Sequence, residues 1–350
     1  MQKGVFYGLL SAALFGASTP FAKHLTASVS PVMLAALLYL GSGIGLAIWF
    51  VVRRMLAPAG DTSVATLRAP DVPSLAGAIF SGGVAGPVLL MIGLTVTPAS
   101  SASLLLNLEG VLTAVLAWFA FKENFDRRIF TGMVFIVVAG ALLSWNERPA
   151  LGVPWGPLAI VAACLCWAID NNLTRKVSAS DPVQIACLKG LVAGSVNLAI
   201  AFGLGQHLPP WSGIASAGAV GLCGYGVSLV LFVLALRHLG TARAGAYFSA
   251  APFAGAVISM LMFAERPGPG FWIAATLMGI GIWLHLTELH EHHHEHEPLY
   301  HDHIHSHDEH HQHEHAAGVD TTEPHAHPHQ HLPLAHSHAH YPDIHHRHMH

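Results

Sequence analysis

Charged side chains are scarce in this chain. Asp, Glu, Lys and Arg make up 10% of its 350 residues, whereas soluble domains contain about 25%. Hydrophobic residues make up 53%, and the mean hydropathy is +0.49. A soluble fold of this length could not bury so much apolar surface. The composition therefore excludes a soluble globular protein and favours an all-α integral membrane protein.

Cysteine is also rare. The four cysteines, Cys164, Cys166, Cys187 and Cys223, lie inside apolar runs, where a thiol usually behaves as a small hydrophobic group. They do not suggest a disulfide framework. Cys164 and Cys166 would not face each other on a helix, so no metal site is expected there. The chain also lacks paired carboxylates, a nucleophile–base set and a phosphate-binding loop, which argues against an enzyme.

Long hydrophobic runs, in contrast, are abundant. Each is close to the roughly 20 residues that a membrane-spanning helix needs. The sequence predicts ten such spans, at residues 4–22, 32–52, 73–94, 99–120, 129–146, 155–173, 184–204, 213–236, 242–264 and 270–287.

Lys and Arg are concentrated in alternate connections between these spans. If the N-terminus is cytoplasmic, eleven of them lie on the cytoplasmic side, and three, Lys23, Arg148 and Arg266, lie outside. Because cytoplasmic loops carry the excess of positive charge, both termini of a ten-span protein are predicted to be cytoplasmic. We therefore expect a multi-pass protein of the cell (inner) membrane, embedded in the lipid bilayer.

The two halves of the chain resemble each other. Residues 31–38 align with 182–189, residues 15–18 with 167–170, and Gly82 with Gly224. A repeated unit of five helices must run through the membrane in opposite directions, and inverted repeats are frequent in secondary transporters. The predicted organisation is a first five-helix repeat over residues 1–148, a second over 149–288 and a tail over 289–350.

Short motifs within these halves resemble the EamA family of the drug/metabolite transporter superfamily. They are Phe15-Gly16 with Lys23, Trp167-Ala168 with Arg175, the stretches 93–111 and 235–253, and the corners Lys122-Glu123 and Ala264-Glu265. The resemblance covers about residues 5–286 and implies a ten-helix carrier of small solutes. Gly110, Ala251 and Leu38 replace a usual Pro, Glu and Arg, whereas Lys189 keeps a base at the position equivalent to Leu38. The site is therefore expected to be asymmetric.

Polar side chains inside the spans are the candidates for a transport site, because burying them in a membrane is costly. They are Asp170, Asn171 and Asn172 in the sixth span, Glu109 and Asn107 in the fourth, and Lys189 in the seventh. Oxygen ligands such as those of Asp170-Asn171-Asn172 could hold a hydrated divalent cation or relay a proton. Alternatively, Asp170 pairs with Lys189 and only joins two helices, or it lies at the cytoplasmic interface near Arg175. Lys189 could also neutralise an anionic substrate, and Glu109 could serve helix packing.

Two proline-containing segments could interrupt helices. Pro20 lies in the first span and Gly86-Pro87 in the third. A broken helix can expose backbone groups to a substrate. The alternative is a kink whose freed carbonyls are satisfied by neighbouring helices.

Histidine is concentrated at the C-terminus, where 24 of the 28 histidines lie between His290 and His350. This segment has five prolines and almost no apolar periodicity, so it is predicted to be disordered. A flexible chain can wrap several imidazoles around one ion, and a divalent transition metal (Zn, Ni, Co or Cu) is the expected ligand. The predicted ligands are His292, His293, His294, His296, His301, His303, His305, His307, His310, His311, His313, His315, His325, His327, His329, His331, His336, His338 and His340.

These features predict a secondary transporter of small solutes, with export as the expected direction and a small molecule or a metal ion as substrate. In one hypothesis, the tail captures metal for transport or regulates transport. In a second, the tail is only a metal buffer on a metabolite or drug exporter. In a third, the chain is a membrane metal sensor that does not transport. No nucleic acid partner and no tightly bound cofactor are expected, and a homodimer is left open.

Overall fold

The structure is a computed structural model that describes residues 2–56, 71–121, 127–146, 154–175, 182–239 and 247–286, together with four strands near the C-terminus. Its helices are α1 (Gln2–Leu25), α2 (Pro31–Leu56), α3 (Val72–Ala78), α4 (Gly86–Val96), α5 (Ala99–Leu105), α6 (Leu108–Phe121), α7 (Arg127–Asn146), α8 (Trp155–Arg175), α9 (Pro182–Gly203), α10 (Trp211–Gly221), α11 (Ser228–Leu239), α12 (Ala251–Phe263) and α13 (Pro269–Leu286). Two further segments are π-helical, π1 (Ile79–Ala85) and π2 (Leu222–Val227). Between residues 2 and 286 the described chain is all-helical.

Eight candidate membrane spans are present among the described residues. They match the first eight predicted spans; π1 joins α3 to α4, and π2 joins α10 to α11. The last two predicted spans, 242–264 and 270–287, contain α12 and α13, which are shorter apolar helices in the described chain. Ser249 and Ala250 form a turn before α12, and Pro252, which lacks an N–H, suits the first turn of that helix. The prediction of ten spans is thus confirmed for eight of them.

The outside of the bundle is apolar. Met55, Phe119 and Leu261 are exposed over 79%, 71% and 80% of their surface. Large exposed apolar surfaces are rare on soluble monomers, whereas hydrocarbon tails solvate them readily. The surface therefore fits a protein that lies in a lipid bilayer.

Helices α2 and α9 pack with their backbones in close contact. A Cβ added to Gly43 would lie 2.5 Å from the backbone nitrogen of Leu191, and one added to Gly190 would lie 2.7 Å from the Cα atom of Gly43. Small residues permit this approach in membranes, where van der Waals contact between helices replaces the hydrophobic effect. The contact fixes Lys189, the neighbour of Gly190, next to the bundle interior.

Both π segments lie at equivalent places in the two halves. The N–H of Gly86 donates to the carbonyl of Ser81, and the N–H of Ser228 donates to the carbonyl of Cys223, each five residues earlier. Such wide turns are frequent at functional sites. Pro87 follows π1 and cannot donate a helical hydrogen bond, so the interruption expected at Gly86-Pro87 takes this form. Helix α1, in contrast, continues through Pro20.

A corner glutamate joins the two halves. Glu265 follows α12, and its carboxylate accepts hydrogen bonds from the backbone N–H groups of Ala99 (2.9 Å) and Ser100 (3.1 Å) at the start of α5. The first N–H groups of a helix lack partners within the helix, and a carboxylate placed there is stabilising. The Ala264-Glu265 motif thus has a structural role.

Residues Glu288–His350 form a second unit, of which the structure describes four strands. Its strands are β1 (His290–His296), β2 (Tyr300–His305), β3 (His325–Gln330) and β4 (Leu334–His340). Strands β1 and β4 pair antiparallel, as do β2 and β3. The sequence predicted no regular structure here, but the alternating histidines have the two-residue period of a strand. Disorder stays a prediction for the rest of the tail, which lies outside the described residues.

Candidate transport site

A cavity of about 340 Å³ lies among α1, α2, α8, α9, π2 and α11. This volume is typical of sites for small molecules. The residues that line it are Phe15, Tyr39, Ser42, Asp170, Asn171, Thr174, Ile185, Ala186, Lys189, Gly190, Tyr225, Ser228, Leu229, Phe232 and Phe248. Three of the six predicted site residues, Asp170, Asn171 and Lys189, are therefore brought together here.

Asp170 and Lys189 form an ion pair on the wall of the cavity. The Lys189 ammonium lies 2.6 Å from both carboxylate oxygens of Asp170, and the side chains are only 8% (Asp170) and 18% (Lys189) exposed. The Thr174 hydroxyl, one turn further along α8, donates to Asp170 Oδ1 at 2.8 Å. These contacts compensate the cost of burying two charges, and they leave both groups at the cavity surface.

Gly82 in π1 packs directly against the side chain of Asp170. A Cβ on Gly82 would lie 2.5 Å from the Cβ of Asp170 and closer still to its carboxylate, so the position has room only for glycine. The wide π turn also frees the Gly82 carbonyl, which accepts hydrogen bonds from Tyr39 Oη (2.8 Å) and Trp167 Nε1 (2.9 Å). The next carbonyl, that of Gly83, accepts from Asn197 Nδ2 at 3.1 Å. Side chains of α2, α8 and α9 thus donate hydrogen bonds to the carbonyl groups of the interrupted helix.

Glu109, at the start of α6, lies beside this site rather than in it. Asn171 Nδ2 donates to Glu109 Oε1 at 2.9 Å, which connects Glu109 to the cavity through one side chain. Leu106 and Asn107 form the turn between α5 and α6. Glu109 therefore follows a break in the fourth span.

Asn107 and Asn172 donate hydrogen bonds to neighbouring backbone carbonyls and are not among the residues that line the cavity. Asn107 Nδ2 donates to the carbonyl of Leu104 at 3.0 Å. Asn172 Nδ2 donates to the carbonyls of Thr113 (3.1 Å) and Ala168 (2.8 Å). In this structure, Asp170 pairs with Lys189, whereas the amide groups of Asn171 and Asn172 donate to Glu109, to Thr113 and to the Ala168 carbonyl. An ion held by oxygen atoms of Asp170-Asn171-Asn172 stays a prediction.

Five aromatic rings form a continuous wall of the cavity. Ring centroids are 5.7 Å apart for Tyr39 and Tyr225, 6.0 Å for Tyr225 and Phe15, 5.3 Å for Phe15 and Phe248, and 4.7 Å for Phe248 and Phe232. These separations are those of favourable aromatic pairs. The cavity thus has a charged end and an aromatic wall.

The aromatic residues, Thr174 and Gly82 were not among the site residues predicted from the sequence. Thr174 could have been found, because it lies four residues after Asp170 on the same helix face. The aromatic residues carried no signal that separates a cavity wall from ordinary packing. Gly82 was noted as part of the repeat, but nothing in the sequence indicated its contact with Asp170.

Among the described residues between 2 and 286, no three or more His, Cys, Asp or Glu side chains come together in a group that could hold a metal ion. The four cysteines are free thiols. Of the predicted tail ligands, His307, His310, His311, His313, His315 and His331 lie outside the described residues, and the others are described by their strand positions alone.

Comparisons with known proteins agree with this architecture. The EamA-like transporter family matches residues 2–145 and again residues 154–287. An uncharacterized transporter of Methanothermobacter thermautotrophicus is 27% identical over 276 residues, which cover 74% of this chain and 79% of the relative. The uncharacterized transporter YyaM of Bacillus subtilis is 23% identical over 180 residues, 49% of this chain and 59% of YyaM.

A solved crystal structure has the same fold. It matches 81% of this chain and 95% of its own length with a TM-score of 0.59, at 16% sequence identity. The double family match covers most of the chain, and the apolar helices supply the spans. The chain therefore belongs to the EamA-like transporter family and is a multi-pass membrane protein.

Proposed function

We propose that the chain is a secondary transporter of small organic solutes, and that the cavity beside Asp170 and Lys189 is its binding site. The observation that carries this proposal is a largely buried ion pair that lines a cavity in the helix bundle. Ionisable groups at membrane depth mark substrate pathways in transport proteins. The pair joins α8 and α9 as well, so it has a structural role besides the proposed one.

A divalent metal ion is a poor candidate for the cargo. Asp170 is the sole carboxylate among the described residues that line the cavity, and Lys189 already neutralises it. A divalent ion takes six or more oxygen ligands, or imidazole and thiolate ligands. Apart from Asp170, the cavity offers hydroxyl and amide groups and aromatic rings. These features favour an organic solute.

The proposed architecture is two inverted repeats of five helices, with ten spans and both termini in the cytoplasm. The double match to the family and the equivalent positions of π1 and π2 support a repeat. The distribution of Lys and Arg supports the orientation. Export is the proposed direction of transport.

We also propose that the tail binds a divalent transition metal and buffers it or regulates transport, separately from the cargo. The strand register supports this role. In β1–β4 it pairs His290 with His340, His292 with His338, and His294 with His336. In β2–β3 it pairs His301 with His329, His303 with His327, and His305 with His325. Residues two apart share a face of a strand, so each sheet aligns three pairs of histidine positions on one face.

Efflux from proteoliposomes tests the transport proposal. The vesicles are loaded with a defined mixture of amino acids, amines, organic acids and nucleosides, and mass spectrometry measures which solutes leave. We expect efflux of at least one solute above protein-free vesicles. In Ala186→Trp, a large side chain fills the cavity and should abolish this efflux. In the control Ala199→Phe, the change lies on an exposed position of the same helix and should leave it unchanged. Equal efflux from both variants would place the pathway elsewhere.

Zn²⁺ titration of the full-length protein tests the tail. We expect binding that weakens as the pH falls through about 6.5, because protonated imidazole cannot bind metal. Replacing His292, His294, His336 and His338 by Ala should remove a high-affinity site. Replacing His310, His311, His313 and His315 by Ala is the matched control. Equal losses in the two variants would mean that the strand register does not define the site.

A further inference from the structure

The connection between α4 and α5 is held by two charges that come from other parts of the chain. Thr97 and Pro98 join the two helices, with ψ angles of 138° and 140°. The Lys23 ammonium, near the end of α1, donates to two carbonyls in the last turn of α4. The Glu265 carboxylate, after α12, binds the start of α5. A cation at a helix C-terminus and an anion at a helix N-terminus are both stabilising, so each charge holds one side of the connection.

Helix α5 depends on Glu265 for its N-terminal cap. Pro98, the residue before the helix, has no side-chain hydrogen-bonding group, and the N–H groups of Ala99 and Ser100 donate to Glu265 instead. The Ser100 hydroxyl also donates to this carboxylate. All seven residues of α5 are buried, and buried donors without an acceptor are costly. If Glu265 leaves, α5 must therefore move to find other acceptors.

The corner that carries Glu265 is strained. Ala264, which ends α12, has a φ of 49° and a ψ of 34°, and no other non-glycine residue in the described part of the chain has a positive φ. Glycine adopts this left-handed conformation freely, whereas a residue with a Cβ does so at a cost in energy. The hydrogen bonds of Glu265 thus stabilise a corner that Ala264 by itself disfavours.

The corner and the cavity extend toward opposite ends of the bundle. A Cβ on Gly93, near the end of α4, would lie 2.9 Å from the carbonyl oxygen of Gly156 at the start of α8. Helix α8 therefore begins at the end of the bundle where α4 meets α5. Asp170 and Thr174, which line the cavity, lie in the last turns of α8. The distribution of Lys and Arg predicts that the end with Glu265 is the outer one.

Three helices pack tightly between the corner and the cavity. A Cβ on Gly255 of α12 would lie 2.7 Å from the carbonyl oxygen of Gly16 in α1 and 2.9 Å from Ser103 Oγ in α5. Phe15, the neighbour of Gly16, lines the cavity. A solute that passes between these helices therefore requires α5 or α12 to move.

We infer that Glu265 is a gating residue. Its carboxylate holds α5 against the corner after α12 and keeps the outer end of the bundle closed. Opening of this end breaks the contact and releases the strain at Ala264. The inference concerns access to the cavity, whatever solute the cavity takes. It rests on the proposed transport function only for the purpose of the opening, because access can be measured without a substrate.

Labelling of an engineered cysteine tests the gate. Ser103 lies one turn below the start of α5, faces Gly255 and is only 1% exposed. The reporter Ser103→Cys is made in the full-length chain with its four native cysteines replaced by Ala. A membrane-impermeant methanethiosulfonate reagent is added to intact cells, and mass spectrometry measures the labelling rate. Glu265→Gln should raise this rate at least about tenfold, because its amide has one acceptor oxygen where the carboxylate has two.

Arg266→Gln is the matched control, since Arg266 is the next residue of the same corner and is exposed. It should leave the labelling rate unchanged. An unchanged rate in Glu265→Gln, or an equal rise in Arg266→Gln, would overturn the inference.

Ala264→Gly tests the gate in the other direction. Glycine relieves the strain of the closed corner, so labelling should slow at least about twofold. A general loosening of the fold would instead raise the rate in both variants, and that result would contradict the gate. If Glu265→Gln does not fold, Ala264→Gly still decides, because an unchanged or faster rate would refute the stored strain.

Efflux of the solute mixture from proteoliposomes separates this inference from the transport proposal. Labelling that responds as expected, without efflux of any solute, would support the gate and refute transport. Efflux from a protein whose labelling rate does not depend on Glu265 would refute only the gate.

Discussion

At equivalent positions, the two halves of the chain share a backbone arrangement but differ in charge. Gly82 in π1 faces Asp170, and Gly224 in π2 faces Ser18; in both cases a Cβ on the glycine would lie 2.5 Å from the Cβ of the facing residue. Lys189 corresponds to Leu38 in the other half. One half thus supplies a buried ion pair where the other supplies a hydroxyl and an aliphatic side chain.

The same contrast holds for the hydrogen bonds of the π segments. The Gly82 carbonyl accepts from Tyr39 and Trp167. The residues at the equivalent positions in the repeat are Gly190 and Phe15, whose side chains have no hydrogen-bond donor. The comparison indicates that the repeat conserves helix geometry, whereas the side-chain donors that serve π1 are not repeated at the equivalent positions around π2.

Breaking the ion pair should have the largest effect. In Lys189→Gln, the Asp170 carboxylate loses the ammonium that compensates it, which costs about 3–5 kcal/mol. We expect a lower melting temperature and efflux reduced at least about 100-fold. The double variant Asp170→Asn, Lys189→Gln should melt above this single variant, because no unpaired charge remains. A single variant as stable as the wild type would show that the pair is not buried as described.

Adding a methyl group to the equivalent glycines compares the halves directly. Gly82→Ala and Gly224→Ala should each destabilise the protein by about 1–3 kcal/mol through overpacking. Only Gly82→Ala displaces a carboxylate, so only this variant should also lose efflux when the two are compared at equal protein amount. Equal efflux from the two variants would mean that the position of Asp170 does not matter for transport.

Removing a side-chain donor that hydrogen-bonds to π1 makes the surroundings of π1 resemble those of π2. Trp167→Phe introduces the residue found at the equivalent position, Phe15, and removes one of two hydrogen bonds to the Gly82 carbonyl. We expect a loss of about 1 kcal/mol, measured as a lower melting temperature. Trp272→Phe, at an exposed position, is the control and should change the melting temperature less.

The smallest effect is expected at Glu109, whose equivalent is Ala251. In the described part of the chain, Glu109 is connected to the cavity through the exposed Asn171 side chain. Glu109→Ala should therefore lower efflux by less than about tenfold, a cost below roughly 1.4 kcal/mol. A complete loss of efflux would show that Glu109 acts in transport and does not merely support helix packing.

The sequence predicted the helical fold well because membrane helices are defined by long apolar runs. It also singled out Asp170 and Lys189, which lie together at the cavity, since so few charged residues occur inside the spans. The ninth predicted span, 242–264, contains a turn at Ser249 and Ala250, before α12. The sequence did not indicate this turn, because residues 242–264 are apolar on both sides of it. The aromatic wall and the contact of Gly82 with Asp170 depend on which helices are neighbours, and a single sequence does not contain that information.

The central claim is that the charges of one half carry transport. Efflux of the same solute mixture from vesicles that contain Asp170→Asn or Ser18→Ala tests it most directly, because the two residues occupy equivalent positions. Alanine keeps the Cβ through which Ser18 contacts Gly224. We predict loss of efflux for Asp170→Asn and near wild-type efflux for Ser18→Ala. Equal efflux from the two variants would contradict the claim.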